Sequence, residues 1–386
     1  MKNTLDKLYS IFFILLGLSI PLSIATSNIC IGVIVCIWII EGDIKEKWQR
    51  ILSSKWMSSI LLLIILYCVG IIWGDIGVGK FQMLTLFLMF IILQTSRFKQ
   101  SDLKLGTLCF LFATLLSALL SILINYNIIL PLHNYISIIS SRWHIAAFTS
   151  YNYHNILLAF SSLVCFYLFA EKKSQYRWVF LICIIIYSFS IFIERGRAGQ
   201  LVLLLFLSIY SVYYFKRKIK YSIGIICFLI TCNYVAYQES NTYKSRIEKT
   251  LEAIESQKDI RFFLIKESIN YIKKNPILGY GTGSFEKTMN KRIDENHPKL
   301  YTTPHNTYLY VWFEIGIFGL IILLNIFYFQ IKSLSKLKYS FHRILLPIGF
   351  MIIMLFDSYL FSFVLTIFYI YFFTIYNNYN IDVSDN

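Results

Sequence analysis

The sequence predicts an all-α polytopic membrane protein of about twelve transmembrane helices with one large helical loop. Three observations carry that expectation. Of its 386 residues, 57 % are hydrophobic, and mean hydropathy is +0.62. Only 15 % are charged, against about a quarter in an ordinary soluble domain. Apolar runs close to bilayer length recur along the chain, joined by short connections in which Lys and Arg alternate between rich and poor.

A bilayer core about 30 Å thick takes about 20 apolar residues per helix. On that measure spans are expected near 8–24, 26–41, 56–74, 81–96, 105–124, 144–170, 177–193, 198–215, 221–237, 306–330, 344–356 and 359–376. Lys2 and Lys7 before the first run resemble the start of a signal peptide. No small-residue cleavage site follows and a second run comes at once, so the first helix is expected to stay in place. The chain divides into spans over 1–237, a polar interval over 238–305 and further spans with a tail over 306–386.

Inside the polar interval, Thr242 to Gln257 is rich in Glu, Lys, Leu and Ala and is expected to form a solvated helix. Asp259 to Lys273 spaces Phe262, Phe263, Ile265, Ile269 and Ile272 along a partly apolar stripe, which suits a helix lying on protein or membrane. Pro276 ends that helix, and Gly279, Gly281 and Gly283 form a tight turn.

Orientation follows from the basic residues of the short connections. One alternate set holds twenty, from Lys2 and Lys7 through Lys45, Lys47, Arg50 and Lys55 to Lys332, Lys336, Lys338 and Arg343. The other holds Lys80, Arg142, Arg195 and Arg197. The positive-inside bias therefore puts both termini in the cytoplasm and the polar interval outside. The net charge of +15 is mostly this topology signal and calls for no nucleic acid. All eight cysteines lie in apolar runs and read as small buried hydrophobes, with no metal spacing.

Few residues outside the apolar runs suggest chemistry. Glu194-Arg195-Gly196-Arg197 is the tightest outer connection, and an arginine fork at a membrane face suits phosphate oxygens. The bland alternative pairs Arg195 with Glu194 and lets Arg197 snorkel to the head groups. Arg261 stands on the loop helix, where a solvated role is the simpler one. The glycine turn has the look of a phosphate cradle, but no strand precedes it, and a turn returning the loop to the membrane explains it as well. His305 opens the tenth span, followed by Asn306, as a base, a hydrogen-bond donor or an interfacial anchor. Glu314 lies inside that span, where an acid needs a partner, and Asp357 with Ser358 occupies the turn before the last span. His133, His144, His154, His297 and His342 show no partner pattern. No HExxH, CxxC, GxSxG or Walker pattern is present, which leaves a metal hydrolase or an ATP-driven pump without support.

With these residues in place, the chain resembles the O-antigen ligase and polymerase superfamily of bacterial envelope proteins. The resemblance rests on the span count with one large loop before the last three helices, on Gly196-Arg197-Ala198 where relatives usually carry Ser-Arg-Gly or Ser-Arg-Ala, and on Ser245-Arg246-Ile247. It rests equally on Arg261 ahead of Asn275-Pro276 and the glycine turn, and on His305-Asn306-Thr307-Tyr308-Leu309 with Glu314 and Gly316. It implies a GT-C-like glycosyltransferase of the inner membrane that uses neither metal nor nucleotide sugar. It implies an undecaprenyl-diphosphate-linked glycan as donor and a lipid A-core sugar as acceptor. Arg197, Arg261 and Arg195 would then face the diphosphate, and His305 and Glu314 the reaction, with Asp357, Asn306, Gly279, Gly281 and Gly283 in support. A polymerase joining lipid-linked repeat units, or an enzyme passing the oligosaccharide to protein, fits the same pattern. A flippase for the same lipid-linked sugars fits less well, because the candidate residues gather at one face instead of mid-membrane.

Overall fold

The computed structural model describes residues 2–75, 78–129, 146–170, 176–194, 196–216, 218–239, 244, 248, 260–290 and 302–379. Among them there are helices and turns and no strand. In chain order the helices are α1 (Lys2–Ser19), α2 (Ile24–Glu41), α3 (Ile44–Ser53), α4 (Lys55–Gly70), α5 (Val78–Thr95), α6 (Gln100–Asn125), α7 (Tyr151–Ala170) and α8 (Arg177–Ile193). They continue as α9 (Arg197–Tyr214), α10 (Ile219–Glu239), α11 (Ile260–Lys274), α12 (Ser284–Asn290), α13 (Thr307–Leu334), α14 (Ser340–Ile353) and α15 (Phe363–Asn378). α9 carries a π turn over Leu203–Leu207.

Every apolar run singled out above contains a helix, though boundaries differ. The first ends at Ser19 instead of 24, with Pro21 in the turn that follows. The sixth starts at Tyr151, and Tyr359–Phe361 is a short 3-10 turn ahead of α15. Among the described residues five helices are long and apolar enough to cross a membrane, or six if the bent pair Ile44–Ser53 and Lys55–Gly70 is one span. Five further apolar helices are shorter. The expected count of twelve is not reached by this measure. Two helices were not expected, α3 and α12. The expected helix over 242–257 lies outside the described residues, apart from 244 and 248.

The chain forms two compact units: residues 1–9, 34–98 and 253–386 make one, and 10–33 with 99–252 the other. In the first, α15 is buried on every side from Val364 to Ile375, as a helix apolar all round must be. Rings fill the space about it: Phe373 and Trp56 lie 4.9 Å apart between centroids, Phe350 and Tyr369 4.3 Å, and Phe90 and Tyr369 5.6 Å. α4 runs against α13, and α11 and α12 pack on α13 through a cluster of Leu264, Ile272, Phe285, Met289, Tyr310 and Phe313. The buried face of α11 is thus Leu264, Ser268 and Ile272, at i, i+4 and i+8, with Glu267 beside them, whereas Phe262 and Ile269 face out.

In the second unit α7 is the central helix, buried at every position from His154 to Phe166. It packs against α8 and α9, and α6 packs on α8. One buried hydroxyl there finds its partners inside the unit: the Tyr187 hydroxyl donates to the Leu111 carbonyl at 2.9 Å and lies 3.0 Å from the Thr114 hydroxyl.

Candidate active site

In the first unit three features converge on the start and middle of α13. The first is the entry. His305 follows Pro304 with φ +51°, a left-handed backbone that a non-glycine side chain adopts at a cost of about 1–2 kcal/mol. Asn306 then caps the helix, its side-chain oxygen accepting from the Leu309 amide at 3.0 Å. The surrounding contacts hold this entry to the turn that ends α14. The Thr307 amide donates to the Met354 carbonyl at 2.9 Å, the Thr307 hydroxyl to the Asp357 carbonyl at 3.0 Å, and the Asn306 amide group to the Leu355 carbonyl at 3.2 Å.

The second feature is the pair this builds. His305 Nδ1 lies 3.0 Å from Asp357 Oδ1, which also accepts the Ser358 amide at 2.7 Å. An ionised carboxylate only accepts, so Nδ1 must be the donor and, in the neutral ring, Nε2 is left as the acceptor. The side chains are 36 % and 24 % exposed, so the ring is held yet open to a ligand.

The third feature is the glycine turn. Inside α13 the helix breaks at Ile315 and at Gly316, whose φ is +71° and ψ −170°. The turn docks into that break: Tyr280 N donates to the Phe313 carbonyl at 2.9 Å, Gly281 N to the Glu314 carbonyl at 2.8 Å, and Ile317 N to the Pro276 carbonyl at 3.0 Å. Trp312 Nε1 reaches the same Pro276 carbonyl at 3.0 Å. The other side of the turn closes on the end of α4, where Thr282 N donates to the Gly70 carbonyl at 3.0 Å and the Thr282 hydroxyl to the Tyr67 carbonyl at 2.6 Å. Glu314, fully buried, accepts the Gly283 amide at 3.1 Å. The amides from Gly279 to Ser284 are all donated within the protein, which leaves no nest for a phosphate. Burial, together with the neighbouring Tyr271 phenol, pushes the Tyr280 phenol above its usual pKa, so it keeps its proton and donates a hydrogen bond to the Tyr271 carbonyl at 3.0 Å.

Arg261 is exposed in the first turn of α11, in the same unit. Asp357 is brought to His305, whereas Glu314 is held at the glycine turn. The carboxylate separated from His305 by 52 positions is therefore its partner, and the one nine positions away is not.

In the second unit Arg197 is exposed at the first position of α9. Glu194 takes His154: Oε2 lies 2.9 Å from Nδ1, and Oε1 accepts the Ser190 hydroxyl at 3.2 Å. Arg195 and Ser245-Arg246-Ile247 lie outside the described residues, as do His133, His144 and His297. His154 and Asn155 are the polar residues that sequence reasoning passed over. The available signal was an ionisable residue beside an amide inside a long apolar run.

Comparisons with known proteins agree with the resemblance. A family described as O-Antigen ligase matches residues 182–324, a stretch that holds Arg197, Arg261, His305 and Glu314. Among curated proteins, the chain is similar to the O-antigen ligase of Salmonella typhimurium, 28 % identical over 180 residues, which is 43 % of this chain and 42 % of that protein. The match thus spans less than half of the relative's length. Both findings support the O-antigen ligase superfamily.

Proposed function

We propose that the protein is an O-antigen ligase-type glycosyltransferase that moves a polysaccharide from undecaprenyl diphosphate onto a sugar of the lipid A core. The observation that carries this reading is the His305–Asp357 pair, with Nδ1 committed to the carboxylate and Nε2 presented to a ligand. In the reaction, Nε2 takes the proton of the acceptor hydroxyl as its oxygen bonds to the anomeric carbon. The anomeric carbon–phosphate oxygen bond breaks, and the diphosphate leaves as an anion. Such a leaving group needs no protonation, so the second demand on the protein is positive charge, which Arg261 supplies from an exposed position in the same unit as His305. Exposed Arg197 is read separately as a diphosphate contact. Asp357 orients the ring and stabilises the imidazolium that forms. Glu314 serves as the clamp of the glycine turn instead of as an acid or base.

The topology proposed with it places the protein in the bacterial inner membrane, both termini in the cytoplasm and the 238–305 interval in the periplasm, reached by lipid-linked donor and acceptor from the outer leaflet. The test is transfer by purified protein, without added metal, given lipid-linked O-polysaccharide and lipid A core. Glycan on the core with wild type, lost in His305→Ala and Arg261→Ala, supports the ligase. Longer lipid-linked chains from single repeat units, with no transfer to core, would make it a polymerase. Neither product from a folded sample would favour the flippase reading.

A further inference from the structure

Glu194 stands beside an arginine-rich turn, and its partners among the described residues are His154 and Ser190. Its carboxylate is fully buried and both oxygens are occupied, one by His154 and one by Ser190, while Arg197 three positions on is exposed. His154 is itself fully buried, and its Nε2 lies 2.9 Å from the Ser117 hydroxyl. That hydroxyl can donate or accept, so the ring is satisfied whether neutral or protonated.

The next residue of α7 completes the seat. Asn155 donates its amide group to the Ile191 and Gly196 carbonyls, each at 3.3 Å. Gln200 donates to the Ile191 carbonyl at 3.1 Å and to the Glu194 carbonyl at 3.3 Å. A Cβ on Gly196 would meet the Asn155 side chain, and one on Gly199 the Asn155 backbone. The turn therefore rests on the step His154–Asn155, which holds a side chain before Arg195 and a carbonyl before Arg197.

A carboxylate this near an arginine is its natural counter-ion where water is scarce, and pairing there would cancel the charge that an anionic ligand needs. We propose that His154, with Asn155 beside it, is a positioning residue for the arginine turn. By taking Glu194 as its own partner it fixes the turn and leaves Arg197 available to a ligand of the diphosphate class. This rests on the reading of Arg197 as a diphosphate contact.

The full-length protein in detergent decides it, probed with undecaprenyl diphosphate carrying no glycan. His154→Ala is expected to bind that lipid about tenfold more weakly, because the freed carboxylate turns to the arginine. Adding Glu194→Gln to His154→Ala removes the competing charge and should return affinity to within about twofold of wild type. Hydrogen exchange of the 194–200 amides should quicken in His154→Ala. Unchanged affinity and unchanged exchange in that variant would overturn the proposal. So would a double variant as weak as the single one, since that reduces His154 to a packing role. If wild type does not bind the lipid, or Arg197→Ala binds it equally well, the reading of Arg197 falls instead, and exchange at 194–200 still decides whether His154 holds the turn.

Discussion

Replacing His305 by Ala should cut transfer by about 10²–10⁴-fold in kcat, the usual contribution of a positioned base, with donor binding nearly unchanged. Asp357→Asn should fall in the same range. An amide can offer a proton to Nδ1, which turns the ring to the tautomer whose Nε2 already carries hydrogen. Initial rates with saturating donor measure both, and an Asp357→Asn enzyme at wild-type rate would break the link between the pair and catalysis. Glu314 separates two roles in one comparison. Gln keeps an oxygen for the Gly283 amide and should preserve both fold and rate, whereas Ala leaves that buried donor unmet at about 1–3 kcal/mol and should lower thermal stability. Loss of rate in a stable Glu314→Gln protein would restore the acid to the chemistry. The sequence marked His305 and Asp357 singly, but residues 52 positions apart have no periodicity that announces a hydrogen bond.

Helices were the most readable level, because an apolar run in a membrane protein admits little besides a helix. The break in α13 was not readable: apart from Glu314, the run through Ile315 and Gly316 is apolar and looks continuous. Its cause lies in another element, the turn at 275–284 that takes up the Phe313 and Glu314 carbonyls. Gly316→Ala tests that joint. At φ +71° a Cβ would fall on the Ile277 carbonyl oxygen, so the variant should lose on the order of 2 kcal/mol or more and melt at lower temperature. An unchanged melting curve would mean that the turn can leave the break. Gly281, with φ +93° and its would-be Cβ against Gly74, should behave likewise. α11 shows a smaller misreading of the same kind. Its apolar residues ring most of the helix, and only contact with α13 selects Leu264 and Ile272 as the face that is covered.

For the whole chain, the charge count makes a claim about sidedness that labelling can check. In a background without the exposed Cys36, Cys68 and Cys227, an impermeant maleimide should reach Lys287→Cys in intact spheroplasts and Lys338→Cys only after permeabilisation. The reverse pattern would invert the protein and move the candidate site to the cytoplasmic face. Composition was enough for the membrane class and for most helix positions. It was not enough for the division into two units, which depends on pairings such as His154 with Glu194 across 40 positions. The docking of residues 275–284 into α13 and the end of α4 also bears on engineering. The polar interval is not an exchangeable cassette, because its final stretch is built into α13 and the end of α4. A graft from a relative that stops before Asn275 keeps the joint intact. One that replaces 275–284 must bring matching residues at 70, 74 and 316, or the hybrid will fail at the seam however well its new loop suits a different glycan.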